Sequence, residues 1–481
     1  MGPVNAAQGA AGAPSVEPGS AKDDLSPVYE PKTRPYRRYV STYALASVAF
    51  SLLWGAVLTV LLPLQVQNLE FARIFGPDSG VDLTALNNLS GQVASGAVTP
   101  SAEQQQQLDL LAQFNSSRAA GLSLVTSVGV VVGMVLSPII GTLSDLTRTK
   151  WGRRAPYIAA GAVVGAAGIT LMPLAPNLFL LVLAWSVIQV AGNAQGPLVA
   201  TVADRVPKER LGSVSAVTGV VVYFAAILGA VVAGMLFAAI GLASYYPFAV
   251  TLLLLTIPLL FLARDRSSKH LPRGGIRIGT IFASFVVALR DRDYRWAWIS
   301  KVLLWTGFGI GTTYSIYMLQ SYITPALSAA EAAQMSPLLQ VVALPATMLG
   351  MAVSGKLSDK LQRRKPFVIA AAVIIALGFI VPWISPSLPA MFIQAGLGGL
   401  GLGVFLVVDQ ALFIDLLPDP EAAGRDLGMS SVGQNLGNAI APVIAGTAVA
   451  VVGGSYGVVW PIAFIIVIIS GLLVLPIRRA R

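Results

Sequence analysis

One loop is written twice in this chain. Gly141–Pro156 reads GTLSDLTRTKWGRRAP and Gly355–Pro366 reads GKLSDKLQRRKP, the second starting 214 residues after the first. Both copies run Gly, Leu-Ser-Asp, a basic cluster and then Pro, and both are wedged between long apolar stretches. A second set agrees: Gly192, Asp204 and Pro207 recur without gaps as Gly403, Asp415 and Pro418, at a shift of 211. The chain is therefore an internal duplication, and what the first half folds into the second half folds into again. Duplicated membrane bundles of this kind usually move solutes.

Composition places both halves in a bilayer. Of 481 residues, 55% are apolar and only 11% charged, with a mean hydropathy of +0.73, too apolar for a domain with a wet exterior. Apolar runs of about 20 residues, the length that a ~30 Å hydrocarbon core requires of a helix, fall near 40–65, 119–141, 157–176, 178–203, 213–240, 244–263, 296–321, 336–355, 367–385, 388–414, 427–452 and 455–477. The expected fold is thus all-α, with twelve transmembrane helices in two six-helix bundles. A strand barrel would alternate apolar and polar residues, and these runs do not.

The resulting division is a disordered tail over 1–38, a first bundle over 39–263 with an outer loop at 67–118, a connection over 264–295, a second bundle over 296–477 and a basic end over 478–481. Within the outer loop, SAEQQQQLDLLAQFNSS has the helix propensity to form a cap running into the second span. With both termini placed in the cytoplasm, 30 of the 32 Lys and Arg fall on or just inside the cytoplasmic side, and only Arg73 and Arg118 outside. That asymmetry sets the orientation expected in a plasma membrane. The net charge of +10 consequently implies contact with lipid headgroups, not with nucleic acid, whose binding needs a folded basic face. The connection carries eight Arg and Lys together with His270, the sole histidine, which is read as a solvated bystander.

With one His and no Cys, neither a metal cluster nor a Ser–His–Asp set can be assembled, and no Gly-rich phosphate loop occurs. No enzyme, metal or cofactor is expected. The repeated charges suggest another use. Asp145 and Asp359 end their helices, while Arg153–Arg154 and Arg363–Arg364 precede the next ones, so opposite charges meet across a tight hairpin that water can enter and release. Gly141 and Gly355 would let helices approach there, and Asp204 and Asp415 would complete two symmetric clusters. Each loop aspartate could also face a helix N-terminus of the other half.

This pattern resembles the major facilitator superfamily, whose signature loop is Gly-x-x-x-Asp followed by a basic doublet between the second and third helices. The resemblance runs from about 40 to 477. SDLTRTKWGRRAPYI, ADRVP and LFIDLLPD are similar to the glycoside–pentoside–hexuronide and sucrose transporter branch. It implies that Gly141, Asp145, Arg153, Arg154, Asp204, Gly355, Asp359, Arg363, Arg364 and Asp415 gate the inner mouth while one half rocks against the other. The melibiose-type acidic residues within the second and fourth helices are missing. So is the proline of the drug-antiporter signature beside Gly229 and Gly234.

Family geometry puts the first, fourth, seventh and tenth helices around a cavity, and polar side chains should face it because lipid offers them no partner. The candidate ligands are Trp54, Gln65, Gln189, Asn193, Thr313, Tyr314, Tyr317, Gln320 and Gln410, joined by Gln434 and Asn438 from the eleventh helix. Amides bond hydroxyls and aromatic rings cover the apolar faces of a pyranose, so a sugar or glycoside suits such a lining. Asp409, the only acidic residue well within a span, lies ~9 Å inside the tenth helix end. It is a candidate proton carrier, with pairing to Lys301 an equal alternative. Gly396, Gly398, Gly399, Gly401 and Gly403 give that helix a bare face, for close packing or for flexing. The expectation is a monomeric carrier of a small neutral solute, driven by protons, with a proton-driven drug or metabolite exporter as the alternative.

Overall fold

The computed structural model describes residues 29–265, 267–269, 286–417 and 423–479. The tail before Tyr29, His270, most of the basic connection and the last two residues lie outside the described residues. Residues 34–38 of the expected tail are already helical, because Thr33 caps the first helix by accepting from the Tyr36 amide and proline occupies its first turn.

The first half contains α1 (Arg34–Ile74), α3 (Ala102–Leu146), α4 (Ala155–Leu174), α5 (Leu178–Arg205), α6 (Lys208–Ile240) and α7 (Tyr245–Leu262), with the short α2 (Leu83–Ala94) between α1 and α3. The second half contains α8 (Arg292–Thr313, bent by 41° into Ser315–Ser321), α9 (Ala329–Leu361), α10 (Lys365–Ile384), α11 (Leu388–Asp415), α12 (Ala423–Val451) and α13 (Val459–Leu472). No strand occurs among the described residues.

Taken singly, eight helical stretches are long and apolar enough to cross a membrane, nine with the bent pair. One of them, Glu209–Leu262, comprises two passes. Gly241 turns the chain at a positive φ of 59°, a conformation that glycine adopts without a Cβ clash. The two ends of that hairpin meet, since Arg205, just before α6, donates to the Ala263 carbonyl at 2.7 Å and pairs with Asp265 at 3.1 Å, just after α7. Adding α12 and α13 gives twelve passes among the described residues.

The duplication is visible in the packing. In the first half α1 packs on α6 and α7, α3 on α5, and α4 on α5 and α7; in the second, α8 packs on α12 and α13, α9 on α11, and α10 on α11 and α13. Across the halves α3 meets α12 and α6 meets α9. Exchanging the halves turns each of these two contacts into the other, as a twofold axis requires. Six passes separate equivalent points, so both repeated loops lie on the same face, here termed the loop face, opposite the far face.

On the far face, Leu86 of α2 joins Leu111 and Phe114 of α3 in a small separate core against Phe71, Ile74 and Phe75. A Ser101–Gln104 capping box starts α3, which runs unbroken for 45 residues from the cap into the second pass. On the loop face, the longer first copy of the repeat holds the start of the connection. Thr149 and Ser268 exchange bonds of 3.0 Å, from the Thr149 amide to Ser268 Oγ and from the Ser268 amide to the Thr149 carbonyl.

Candidate functional site

The far face is sealed by a buried cation. Arg118 of α3 is 0% exposed, and its guanidinium lies over the rings of Phe114, Tyr317 and Tyr456 at 4.9, 4.5 and 5.4 Å. It donates to Gln67 Oε1 at 3.2 Å in its own half, and to Ser321 Oγ at 2.6 Å and the Tyr456 hydroxyl at 3.2 Å in the other. Around it, Tyr317 donates to the Pro63 carbonyl, Tyr314 to the Ala119 carbonyl, Tyr456 to the Asn115 carbonyl and the Ala326 amide to Asn88 Oδ1. Tyr314 and Tyr317 are therefore placed in the seal and not around a cavity as expected, because the bend in α8 at Tyr314 carries both rings across to the first half. Gln320 is buried on the same short segment.

Glycines let backbones touch here. A Cβ on Gly234 would lie 2.1 Å from the Ala333 carbonyl oxygen of the opposite half, and one on Gly446 would lie 2.8 Å from the Tyr314 hydroxyl. Gly234→Val is expected to wedge the far face apart. In this chain without native cysteine, maleimide labelling of Thr312→Cys from that face should rise at least several-fold; an unchanged rate would show that the seam yields without opening.

The loop face shows the opposite condition. Asp204 pairs with Arg153 at 2.6 Å and also with Arg154, which reaches Asp145 at 3.2 Å. Arg364 pairs with Asp359 at 2.7 Å and Asp415 at 3.4 Å, and bonds Ser358 as Arg154 bonds Ser144. These are two copies of one cluster, each confined to its own half. Asp145 is half exposed and Asp359 is 70% exposed, so these pairs are loosely held, water-accessible contacts. Arg363 is exposed and contributes only its carbonyl, which accepts from Ser358. Gly141 has nothing within 4 Å of its Cβ position, and Gly355 meets only Val407 of its own half. The close approach expected at these glycines is not made, because the halves stand apart on this face. Where both partners are described, every hydrogen bond joining the halves lies in the far-face part or near the middle, as at Ser127 to Ala439 and Gln340 to Thr59.

Between seal and loop face lies a cavity of about 490 Å³, bounded by both halves and without a charged residue in its wall. Leu58, Thr59, Leu122, Thr126 and Tyr223 line it from the first half; Trp305, Phe308, Thr313, Gln340, Gln394, Gly398 and Asn438 are among those from the second. A π-helical turn over Val57–Leu61 just before Pro63 sets Leu58 and Thr59 in this wall.

Of the expected ligands, Thr313 and Asn438 are in the wall. The fourth pass, α5, is not. Its Gln189 and Asn193 lie against Gly133 of α3, with Gln189 also against Gly129, because those missing side chains make room for amides inside the half. Trp54 stands edge-on to Trp185 at 5.2 Å and fills the space above Gly192. Gln65 donates to the Met172 carbonyl. Gln410 is exposed and Gln434 half-buried, both outside the wall. Trp305, Phe308, Gln340 and Gln394 were not anticipated, although Gln394 sits in the tenth pass, where polarity alone would have selected it. Asp409 is paired: Lys301 Nζ lies 2.7 Å from its carboxylate, 2.8 Å from Ser430 Oγ and 5.0 Å from the centre of the Phe413 ring.

Residues 83–393 and 317–479 match the profile of the Major Facilitator Superfamily. A stretch of 76 residues is 40% identical to the Sucrose transport protein SUT1 of Oryza sativa subsp. japonica, and equally to that of subsp. indica, covering 16% of this chain and 14% of the relative. The solved structure of the nucleoside transporter NupG aligns with a TM-score of 0.61 at 12% identity, over 91% of this chain and 98% of its own. A bacterial homolog of the human lysosomal transporter Spinster, in an inward-facing and occupied conformation, aligns with a TM-score of 0.62 at 13% identity, over 93% and 98%. At such identities the likeness is one of fold. Together with the twofold packing and the family match across both halves, it identifies the chain as a multi-pass membrane transporter that belongs to the major facilitator superfamily.

Proposed function

We propose that this transporter carries a small neutral solute of sugar or glycoside type by alternating access. The observation that carries the proposal is the uncharged wall of the 490 Å³ cavity, a volume within the ~300–1,000 Å³ of small-molecule sites. An ionised solute would find no counter-charge there. The far face is bolted while the loop clusters are split by half, the arrangement of a carrier open on the loop side. The positive-inside rule assigns that side to the cytoplasm of a plasma membrane. In support, the two basic residues on the other face are both engaged, Arg118 in its cage and Arg73 with Glu70 at 2.6 Å. The clusters Asp145–Arg154–Asp204 and Asp359–Arg364–Asp415 would then latch the loop side in the alternate state, and a proton gradient is the proposed energy source. The short sucrose-transporter match adds weight to the sugar class.

A second reading, export of apolar compounds, draws on Leu58, Leu122, Val130 and Leu339 in the same wall. Proteoliposomes separate the two. Saturable counterflow of labelled neutral sugars or glycosides, stimulated by an inward proton gradient, is expected. Proton-driven extrusion of a lipophilic dye without sugar flux would favour export instead.

A further inference from the structure

We propose that Gln394 of α11, with Trp305 and Phe308 of α8, forms the subsite that recognises the ring of the solute; this deepens the neutral-solute reading and rests on it. Much of the hydrogen-bonding capacity of the cavity wall is already engaged within the protein. The hydroxyls of Thr126, Thr312, Thr313 and Thr347 each donate to a carbonyl of their own helix at 2.7–3.0 Å. Thr59 and Gln340 are joined to each other across the halves. Gln394 is only 4% exposed and lines the wall, and its carboxamide makes no hydrogen bond to another described residue; the indole N–H of Trp305 in the same wall is buried without a partner. A carboxamide that lines a cavity and bonds no neighbouring residue is free to bond a ligand there.

Gly398 connects the parts. A Cβ there would sit 3.5 Å from Gln394 Nε2 and 3.6 Å from a ring carbon of Phe308, so the missing side chain leaves amide and ring as one continuous surface. Trp305 extends it, edge-on to Phe308 at 6.3 Å. Of the other glycines of this helix, Gly399 and Gly403 touch the α9 backbone and Gly401 touches α10, while Gly396 meets nothing within 4 Å. Gly398 lines the cavity between amide and ring, with Gly399 beside it in the wall. An apolar ring face beside a carboxamide with two donor hydrogens and an acceptor oxygen matches a flat-sided ring with hydroxyls at its rim, as in a pyranoside. The determinants lie on the second half, so the solute would remain with that half while the first half swings over it.

The test uses Gln394→Met, which keeps volume and removes hydrogen bonding, and Gly398→Val, which fills the junction. A panel of neutral monosaccharides, disaccharides, glycosides and nucleosides is first screened by thermal stabilisation of the full chain, and the strongest binder becomes the transport probe. The expected result for Gln394→Met is a KM at least tenfold higher, with a melting temperature equal to or above that of the unmodified chain, because no hydrogen bond within the protein is lost. A merely structural glutamine would lower the melting temperature and leave KM alone. Gly398→Val should abolish the ligand-induced shift. Transport by the unmodified chain together with KM within twofold in Gln394→Met overturns the subsite and leaves the carrier reading standing. Failure of every panel member to shift or cross with the unmodified chain overturns both.

Discussion

Asp409→Asn is expected to destabilise the protein by ~3–5 kcal/mol, the usual result of removing one member of a buried ion pair. Lys301 and Asp409 have side chains only 11% and 7% exposed, and lie 2.7 Å apart in the interior of the second bundle. Asparagine leaves the ammonium with the Ser430 hydroxyl and the Phe413 ring, which cannot replace a full counter-charge. The double replacement Lys301→Met with Asp409→Leu removes both charges at similar volume and should restore most of the loss, since paired deletion is often neutral or better. Thermal unfolding of the solubilised single and double variants measures this directly. The same variants decide the coupling question: if Asp409 carries the proton, the double variant folds but loses gradient-driven accumulation while retaining counterflow. If accumulation survives in the double variant, Asp409 is an internal strut and the coupling group is elsewhere.

How far the sequence could be read differs between the two mouths. The repeated Gly-x-x-x-Asp and basic doublet marked Asp145, Arg154, Asp204 and their counterparts, and these meet as ion pairs because a charge at a helix end has few places to go. Hydropathy located the passes for the same reason: an apolar run of that length has one stable environment. Side-chain direction was harder. Gln189 and Asn193 are as polar as Gln394 and Asn438, and nothing along their own helix tells that Gly129 and Gly133 of α3 draw the first pair inside the half. Tyr314 and Tyr317 depended on a 41° bend that no local residue pattern announces. Arg118, visible as an outlying charge beside an apolar run, is explained only when its two halves are assembled, since the rings of Tyr317 and Tyr456 are about 200 and 340 residues away in sequence.

Arg118 therefore sets the second large expectation: Arg118→Ala should move the carrier toward its far-side-open form. In the closed form the guanidinium supplies three charge-assisted hydrogen bonds, worth ~1.5–3 kcal/mol each, and contacts with three rings at ~0.5–2 kcal/mol each. Several kcal/mol of desolvation oppose them, and a surplus of only ~2 kcal/mol is already roughly 30-fold in population. Its removal also orphans Gln67 Oε1, which regains a donor only if water enters from the far face, whereas Ser321 Oγ keeps the Tyr317 carbonyl and the Tyr456 hydroxyl keeps the Asn115 carbonyl. Opening is thus favoured twice. A cysteine placed at Thr312 in the cavity wall should react with an impermeant maleimide at least tenfold faster from the far side in Arg118→Ala, and more slowly from the loop side. Arg118→Lys should fall between, because an ammonium cannot span Gln67, Ser321 and Tyr456 with one planar fork. Unchanged labelling from both sides in Arg118→Ala would mean that Tyr314, Tyr317 and the glycine seams at Gly234 and Gly446 close the far face without it.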